Sequence, residues 1–275
     1  MAGELQTFLR RLRDEPAVLV TVRASRGSVP REAGTWMAVF RNDTIDTIGG
    51  GHLEWDAMRR AREMLARRAV QPSVQSVTLG PSLGQCCGGA LELSYQPVGA
   101  ADAPALRERL GMALRPVALF GGGHVGRALV RALAPLPFAI TWIDSRDEAF
   151  PDPLPEGVAA EHSDPVQAAV PALASGSLVL VMSFSHAEDL DIVAACLRRL
   201  RERDDLGFIG LIGSRTKWAT FRHRLAERGF GEEELARVTC PIGLPGITGK
   251  APAVIAAAVV AQLLLLTSTT AASGV

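Results

Sequence analysis

The strongest constraint on the fold is a glycine-rich turn that lies between an apolar strand and a helix. Residues 121–126 read Gly-Gly-Gly-His-Val-Gly, which fits G-x-G-x-x-G, and they follow the apolar residues 117–120. Residues 138–143 predict the next strand, and Asp144 comes directly after it. Strand, glycine turn, helix and acidic residue in this order are typical of the first half of a Rossmann-type domain.

The glycines of this turn indicate a candidate nucleotide site. Glycine lets the backbone approach a pyrophosphate, and the N-terminus of the following helix favours its negative charge. Gly121, Gly123 and Gly126 are therefore candidate nucleotide-binding residues. Asp144 is a candidate acceptor for a ribose hydroxyl. The same glycines also allow close packing of helix on strand, so the pattern leaves open whether a nucleotide binds, and Arg146 leaves open whether it is NAD or NADP.

The alternation of strands and helices continues to the end of the chain. Apolar runs predict strands at residues 178–182 and 208–212, and amphipathic or apolar runs predict helices at residues 187–201, 215–228 and 252–266. Uninterrupted apolar strands that alternate with helices indicate a parallel sheet covered on both faces. We therefore predict a Rossmann-like domain over residues 114–270, with ligands beyond the carboxyl ends of the strands.

The first hundred residues follow a different pattern. Predicted strands at residues 18–22, 36–40, 76–79 and 91–94 outnumber one predicted helix at residues 53–68. A run rich in Pro, Gly and Ala begins at residue 97 and places the domain boundary near residues 100–113. The predicted fold class is α/β, with a C-terminal Rossmann-like parallel sheet and an N-terminal α+β domain over residues 1–100.

Charge and hydropathy exclude several classes of protein. The 275 residues carry 29 Lys plus Arg and 29 Asp plus Glu, so the formal net charge is zero. Proteins that bind nucleic acid usually show a basic excess, so we expect no such partner. The most apolar run, residues 251–266, is shorter than the ~20 residues that span a bilayer, and no signal-peptide core is visible. We expect a cytoplasmic protein without a membrane partner.

A pair of adjacent cysteines is the most distinctive feature of the N-terminal half. Residues 84–89 read Gly-Gln-Cys-Cys-Gly-Gly, and no C-x-x-C spacing indicates a zinc or thioredoxin-type site. Flanking glycines expose backbone N–H groups, which lower the pKa of a thiol, and a soft thiolate suits sulfur chemistry or a soft metal. Cys86, Cys87, Gly88 and Gly89 are therefore candidate cofactor-binding residues. The alternative is a buried structural cysteine.

Two further loops of the N-terminal half have the composition of a binding site. Residues 24–34 form a polar loop that contains Arg26 and Arg31, and guanidinium groups suit a phosphate or the polar edge of a pterin. Residues 49–52 read Gly-Gly-Gly-His and lead into the predicted helix. We include Arg26 among the candidate cofactor-binding residues. The alternative for both loops is an ordinary surface turn.

These motifs together resemble the xanthine dehydrogenase accessory protein family, XdhC/CoxI. The resemblance rests on residues 24–34, 48–54, 84–89, 121–126, 208–217 and 241–252. It implies a protein that binds the molybdenum cofactor, molybdopterin, and holds it for insertion into a molybdenum hydroxylase. It also implies exchange of an oxo ligand for sulfur, with a cysteine desulfurase as sulfur source. The family's cysteine motif corresponds to Cys86 and Cys87, and Cys87 is the candidate molybdenum ligand.

The resemblance favours a cofactor chaperone over an enzyme with turnover. The expected partners are xanthine dehydrogenase and a cysteine desulfurase, and a homodimer is compatible with the handover of cargo to a large partner. No catalytic residues are assigned on this interpretation. The alternative function is a nicotinamide-dependent oxidoreductase that uses residues 121–126, Asp144 and His186.

Overall fold

The structure is a computed structural model that describes residues 2–79, 89–111 and 114–272, excluding the side chains of residues 2, 3 and 268–272. It divides into two compact units, Met1–Met112 and Ala113–Val275. We describe each unit by itself.

The N-terminal unit is a five-stranded antiparallel sheet with helices on both faces. Its strand order is β3-β2-β1-β5-β4. The strands are β1 (Ala17–Arg26), β2 (Trp36–Val39), β3 (Thr44–Ile45), β4 (Ser73–Thr78) and β5 (Ala90–Val98), and the helices are α1 (Ala2–Arg11), α2 (Gly51–Ala66) and α3 (Ala103–Leu110).

The alternation of side chains along β1 explains why this sheet carries two apolar cores. Val18, Val20 and Val22 pack in one cluster with Leu53 and other residues of α2. Their neighbours Ala17 and Leu19 pack in the other cluster with α1 and α3. Successive side chains of a strand point to opposite faces, so an uninterrupted apolar strand requires cover on both.

The C-terminal unit is a six-stranded sheet in which all neighbouring strands are parallel. The strand order is β11-β10-β9-β6-β7-β8. The strands are β6 (Arg115–Phe120), β7 (Phe138–Asp144), β8 (Val158–His162), β9 (Leu178–Val181), β10 (Phe208–Leu211) and β11 (Val238–Thr239), and the helices are α4 (His124–Leu133), α5 (His186–Arg203), α6 (Arg215–Glu227), α7 (Glu232–Leu235) and α8 (Pro252–Ala272).

This order is that of a doubly wound Rossmann sheet, and the chain changes direction across the sheet between β6 and β9. Helices α4 and α8 cover one face, and α5 and α6 cover the other. In such sheets ligands bind beyond the carboxyl ends of the strands at the point of reversal. The loops after β6, β7 and β9 are therefore the part of this unit where a ligand is expected.

The predicted fold class is confirmed, with differences at several elements. Sequence analysis did not predict α1, β3, β8, α7 or β11. Strand β8 has no fully buried residue and β11 spans two residues, so neither carries an apolar run. Helix α8 extends past residue 266 to Ala272. Among the helices of the described residues, none is both long and apolar enough to cross a membrane.

Candidate functional site

In the N-terminal unit, strand pairing brings separate sequence motifs to one end of the sheet. Strand β5 lies between β1 and β4, and Ala90 is the register partner of Arg26 on one side and of Thr78 on the other. The end of β1, the end of β4 and the start of β5 are therefore side by side. The loop after β1 and the loop between β4 and β5 consequently leave the sheet from the same edge.

The loop between β4 and β5 contains the predicted cysteine motif, and a backbone contact joins its ends. The N–H of Leu79 donates to the carbonyl oxygen of Gly89 at 2.8 Å. Cys86, Cys87 and Gly88 lie outside the described residues. Gly88 alone separates Cys87 from Gly89 in the chain, so the described contact anchors the C-terminal flank of the motif.

Gly89 packs directly on the loop that carries the predicted arginine. A Cβ atom at Gly89 would lie 2.5 Å from the carbonyl oxygen of Ser28 and 2.6 Å from that of Arg26. Real Cβ atoms do not approach backbone oxygens so closely, so the position requires glycine. The structure thereby brings two predicted site residues, Gly89 and Arg26, into contact through the backbone.

The glycine turn before α2 meets the same loop. Gly49 has φ +121°, and a Cβ atom there would lie 2.7 Å from Cβ of Pro30 and 3.4 Å from Cγ of Arg31. Three motifs that are far apart in sequence therefore converge around residues 26–31. Sequence analysis identified the motifs singly but not their convergence.

Glu54 holds this turn, a role that sequence analysis missed. Its carboxylate accepts hydrogen bonds from the N–H of Ile48 at 3.0 Å, from the N–H of Gly50 at 3.1 Å and from the Thr47 hydroxyl. Gly50 precedes α2 and has no side chain to cap it, so the first-turn acid supplies the acceptor. An acidic residue in the first turn after a glycine run was the available signal.

The rim of this loop cluster carries two exposed guanidinium groups, and the exposed carboxylate of Glu32 lies next to one of them in the chain. Arg26 and Arg31 are exposed, and neither forms an ion pair or a side-chain hydrogen bond with any other described residue. His52 lies 3.4 Å from Asp56 and stacks on Trp55 with 5.7 Å between ring centroids. The two guanidinium groups therefore remain available to an anion.

In the C-terminal unit, packing alone explains two of the predicted glycines. Gly121 has φ +125°, and a Cβ atom there would lie 2.0 Å from the carbonyl oxygen of Met182. A Cβ atom at Gly126 would lie 2.0 Å from the carbonyl oxygen of Gly121. The buried indole N–H of Trp142 donates to that same oxygen at 3.0 Å, which holds the turn in place. Sequence analysis missed Trp142.

Gly123 is the predicted glycine that packing does not explain. Its φ of −73° suits any residue, and a Cβ atom there would meet nothing within 4 Å. The backbone before α4 thus faces open space that a side chain would fill. In dinucleotide-binding domains this space receives the pyrophosphate, so the glycine turn fits such a ligand.

Asp144 is buried and saturated with donors. It is 1% exposed and accepts from the N–H of Gly122 at 2.6 Å, and from the N–H, Nε and Nη2 of Arg146 at 2.9, 2.9 and 3.0 Å. Burial would raise the pKa of Asp144, but the hydrogen bonds from Arg146 and Gly122 outweigh it and lower the pKa. A ribose hydroxyl would compete with these donors, so its binding here stays a prediction.

The loops after β7 and β9 touch each other through side chains that sequence analysis did not connect. The guanidinium of Arg146 lies 4.3 Å from the ring centroid of Phe184. Glu188 accepts from the Ser145 hydroxyl at 2.7 Å and from the N–H of Phe184 at 3.1 Å. Because β6 lies between β7 and β9, these contacts meet above the carboxyl end of β6.

A buried ion pair lies further along the same edge. Lys217 Nζ donates to Asp189 at 2.7 Å and to the carbonyl oxygen of Ile212 at 2.9 Å. Burial raises the pKa of the nearby Cys240 to about 11 and that of the core residue Cys196 to about 12. Neither thiol is therefore activated at neutral pH.

Within the part of the chain that the structure describes, the protein side chains form no metal-binding cluster. No three His, Cys, Asp or Glu side chains there are grouped to hold a metal ion. His186, considered for an acid or base role, is exposed and packs edge-on against Phe221, with 6.3 Å between ring centroids. The metal assignment of Cys87 lies outside the described residues and stays a prediction.

Family comparison agrees with this two-unit arrangement. A model of the XdhC Rossmann domain matches residues 117–263, and a model of the XdhC and CoxI family matches residues 11–76. The chain belongs to the XdhC and CoxI family. The resemblance stated from the sequence motifs is thereby confirmed.

Two known proteins extend the comparison of this XdhC chain. It is 29% identical over 233 residues to the uncharacterized protein YqeB of Escherichia coli (strain K12). The aligned region covers 83% of this chain and 39% of that relative. The chain thus spans about two fifths of the relative's length. A crystal structure described as a xanthine dehydrogenase from Bacillus halodurans matches with TM-score 0.78 and 19% identity over 97% of this chain and 96% of that one. This match establishes the shared fold.

Proposed function

We propose that this XdhC chain binds the molybdenum cofactor and supports its sulfuration and its insertion into xanthine dehydrogenase. The observation that carries the proposal is the packing of Gly89, at the end of the cysteine loop, against the backbone of Arg26 and Ser28. This packing holds Gly89, the C-terminal residue of the cysteine motif, beside the arginine loop, within a protein of the XdhC and CoxI family.

The residues of this cluster match the chemical groups of a molybdopterin. Arg26 and Arg31 are exposed cations without an ion-pair partner among the described residues, and guanidinium forks bind phosphate or a pterin edge in a bidentate way. Cys86 and Cys87, which lie outside the described residues, would supply soft sulfur ligands, of the kind that suits molybdenum or a transferred sulfur atom. When bound, the cofactor would supply the molybdenum centre on which an oxo ligand is exchanged for sulfur.

The rigid turn before α2 has a supporting role in this proposal. Glu54 fixes the backbone of residues 48–50, and Gly49 packs on Pro30. The arginine loop is therefore held from two sides, by this turn and by Gly89. A loop held in this way keeps its charged groups in position and lowers the entropic cost of binding.

We propose a carrier rather than an enzyme with turnover, with xanthine dehydrogenase and a cysteine desulfurase as partners. A carrier must release its cofactor to the acceptor enzyme. The cofactor must therefore be more stable when bound to the acceptor than when bound to the carrier. Zero net charge provides no long-range attraction to a strongly charged partner, which accords with transient docking.

The test is anaerobic reconstitution of cofactor-free xanthine dehydrogenase with molybdenum cofactor, a cysteine desulfurase, cysteine and this protein. Hydroxylase activity should scale with the amount of wild-type protein and fall sharply with the double change Cys86→Ser, Cys87→Ser. Arg26→Ala should also reduce cofactor retention, measured by the absorption spectrum of the purified protein. Arg41→Ala is the matched control, because Arg41 is an exposed arginine that follows β2 at the opposite end of the sheet.

Two results would contradict the proposal. Equal hydroxylase activity without this protein would remove the carrier role. Turnover of a small substrate with a nicotinamide cofactor alone would support the oxidoreductase alternative instead.

A further inference from the structure

The C-terminal unit carries a second feature, whose interpretation does not depend on the molybdenum cofactor. We propose that Arg146 and Phe184 form the recognition site for an adenine nucleotide that bears a phosphate on the ribose 2′-oxygen, the NADP class rather than the NAD class. The glycine turn at Gly123 would receive the 5′-phosphates of the same ligand.

The first observation is that Asp144 orients the Arg146 guanidinium. Nε and Nη2 of Arg146 each donate to one carboxylate oxygen of Asp144, at 2.9 and 3.0 Å. The carboxylate is itself fixed by the N–H of Gly122. A guanidinium carries five N–H groups, and this pair uses two of them. Three N–H groups remain, and no other described residue accepts a hydrogen bond from them, but the carboxylates of Glu148 and Glu188 lie near enough to raise the pKa of Arg146 together with Asp144.

The second observation concerns what Asp144 can no longer do. Ribose hydroxyls are recognised in NAD-binding domains by a carboxylate that accepts from them. The four lone-pair positions of the Asp144 carboxylate are matched by four donors here. An unmodified ribose would therefore have to displace Arg146, whereas a 2′-phosphate can bind the free edge of Arg146 with the ion pair intact.

The third observation is an exposed aromatic ring at the same place. Phe184 is 67% exposed, although its backbone is held by Glu188, and its ring lies against the Arg146 guanidinium at 4.3 Å. Stacking on a flat exposed ring is the sequence-tolerant way in which proteins hold a nucleobase. The ring stands on the loop after β9, beside the end of β6, in the crevice where dinucleotides bind in such sheets.

Gly123, Arg146 and Phe184 lie in the order of the 5′-phosphates, the 2′-phosphate and the base of such a ligand. Gly123 follows β6, Arg146 follows β7, and Phe184 reaches across from the loop after β9. Glu188 joins the Ser145 and Phe184 loops by hydrogen bonds, so the distance between them is set before a ligand arrives. The spacing between Arg146 and Phe184 is therefore fixed before a ligand arrives, and a bound phosphate must gain more from Arg146 than it loses to the nearby carboxylates of Glu148 and Glu188.

Calorimetry on the full chain tests recognition of the 2′-phosphate. The two probes, adenosine 2′,5′-bisphosphate and adenosine 5′-monophosphate, differ only in that phosphate. The wild type should bind the bisphosphate on the order of 10- to 100-fold more tightly, the range of hydrogen bonds to charged groups. Arg146→Ala should abolish the difference between the probes. Phe184→Ala should weaken both probes by a similar factor of about 10.

Controls separate recognition from folding. Arg131→Ala removes another exposed arginine of this unit, in the last turn of α4, and should leave both affinities unchanged. If Arg146→Ala does not fold, Arg146→Lys keeps the charge but removes the planar fork, and it should reduce the preference for the bisphosphate several-fold. Each variant is checked by its melting temperature.

The proposal is overturned if the wild type binds the two probes equally, or binds neither at millimolar concentration. It is also overturned if the preference for the bisphosphate survives in a folded Arg146 variant. None of these outcomes affects the reconstitution assay, so failure of this site and failure of the carrier function are distinguishable.

Discussion

The contrast between Gly121 and Gly123 gives a sharp test of the packing argument. Both glycines belong to the same turn, but only Gly121 has a positive φ and a backbone oxygen 2.0 Å from where its Cβ would lie. Gly121→Ala must therefore move the Met182 carbonyl or the turn itself. Gly123→Ala places its methyl group in open space with an ordinary φ of −73°.

The expected magnitudes follow from these two geometries. A residue with a side chain held at positive φ costs about 1–3 kcal/mol, and an added methyl group in a tight contact costs about 1–3 kcal/mol more. Gly121→Ala should lower the free energy of unfolding by about 2–6 kcal/mol. Gly123→Ala gains from reduced entropy of the unfolded chain and loses a favourable helix cap, so the net change should stay within about 1 kcal/mol.

Differential scanning calorimetry of the two variants measures this contrast. For a domain of this size, each kcal/mol shifts the melting temperature by about 2–4 °C, so Gly121→Ala should melt about 4–24 °C below the wild type. Gly123→Ala should melt within about 4 °C of it. The reasoning is refuted if the two variants melt together, or if Gly123→Ala is the less stable one.

Two further predictions rest on the titrating groups. Because Asp144 has a lowered pKa in the folded state, its ionised form stabilises the fold above its unfolded pKa of about 3.9, and this contribution is lost as pH falls through the lower folded value. Urea unfolding should therefore show wild type more stable than Asp144→Asn at pH 6, with the gap shrinking toward pH 3; a gap that grows in acid would contradict it. The thiol of Cys240, with a pKa of about 11, should react with iodoacetamide far more slowly at pH 8 than a free cysteine, as followed by peptide mass spectrometry. Fast labelling of Cys240 at pH 8 would show that the thiol is not held neutral.

The Rossmann sheet was predictable because its requirements are local. A positive φ at Gly121 and the close approach of Gly126 can be met only by glycine, so the geometry is visible in residue types at fixed spacing. The uninterrupted apolar strands on either side show that both faces are covered. Strands β8 and β11 escaped prediction because backbone pairing with a neighbour defines them, and their own side chains carry no apolar pattern.

Helix α1 is a different case, because its signal was present. Phe8, Leu9 and Leu12 are buried at helical spacing near the start of the chain. Sequence analysis considered this segment only as a possible targeting signal. The periodicity that identifies an amphipathic helix was available in the same residues.

The residues of the candidate sites could be predicted from the sequence, but the contacts between those residues could not. Gly89 lies against the arginine loop because Arg26 pairs with Ala90, and such a register between distant strands is not visible in local sequence. The link between Ser145 and Glu188 likewise depends on how two loops fold over β6. By contrast, Asp144 and Arg146 are two residues apart, so their ion pair was within reach of sequence reasoning.

Arg26 and Arg31 differ from Arg146 in how firmly their surroundings hold the guanidinium group. Arg26 and Arg31 are exposed, and exposed ion pairs contribute about 0–1 kcal/mol each, so an anion held by them exchanges readily and with strong dependence on salt. Arg146 is oriented in advance by a buried carboxylate and an aromatic ring, so less conformational freedom is lost when a phosphate binds its free edge. Reversible retention is what a carrier requires of its cargo site. Recognition of one nucleotide over a close analogue requires selective binding. The fixed position of the Arg146 guanidinium is suited to selective binding.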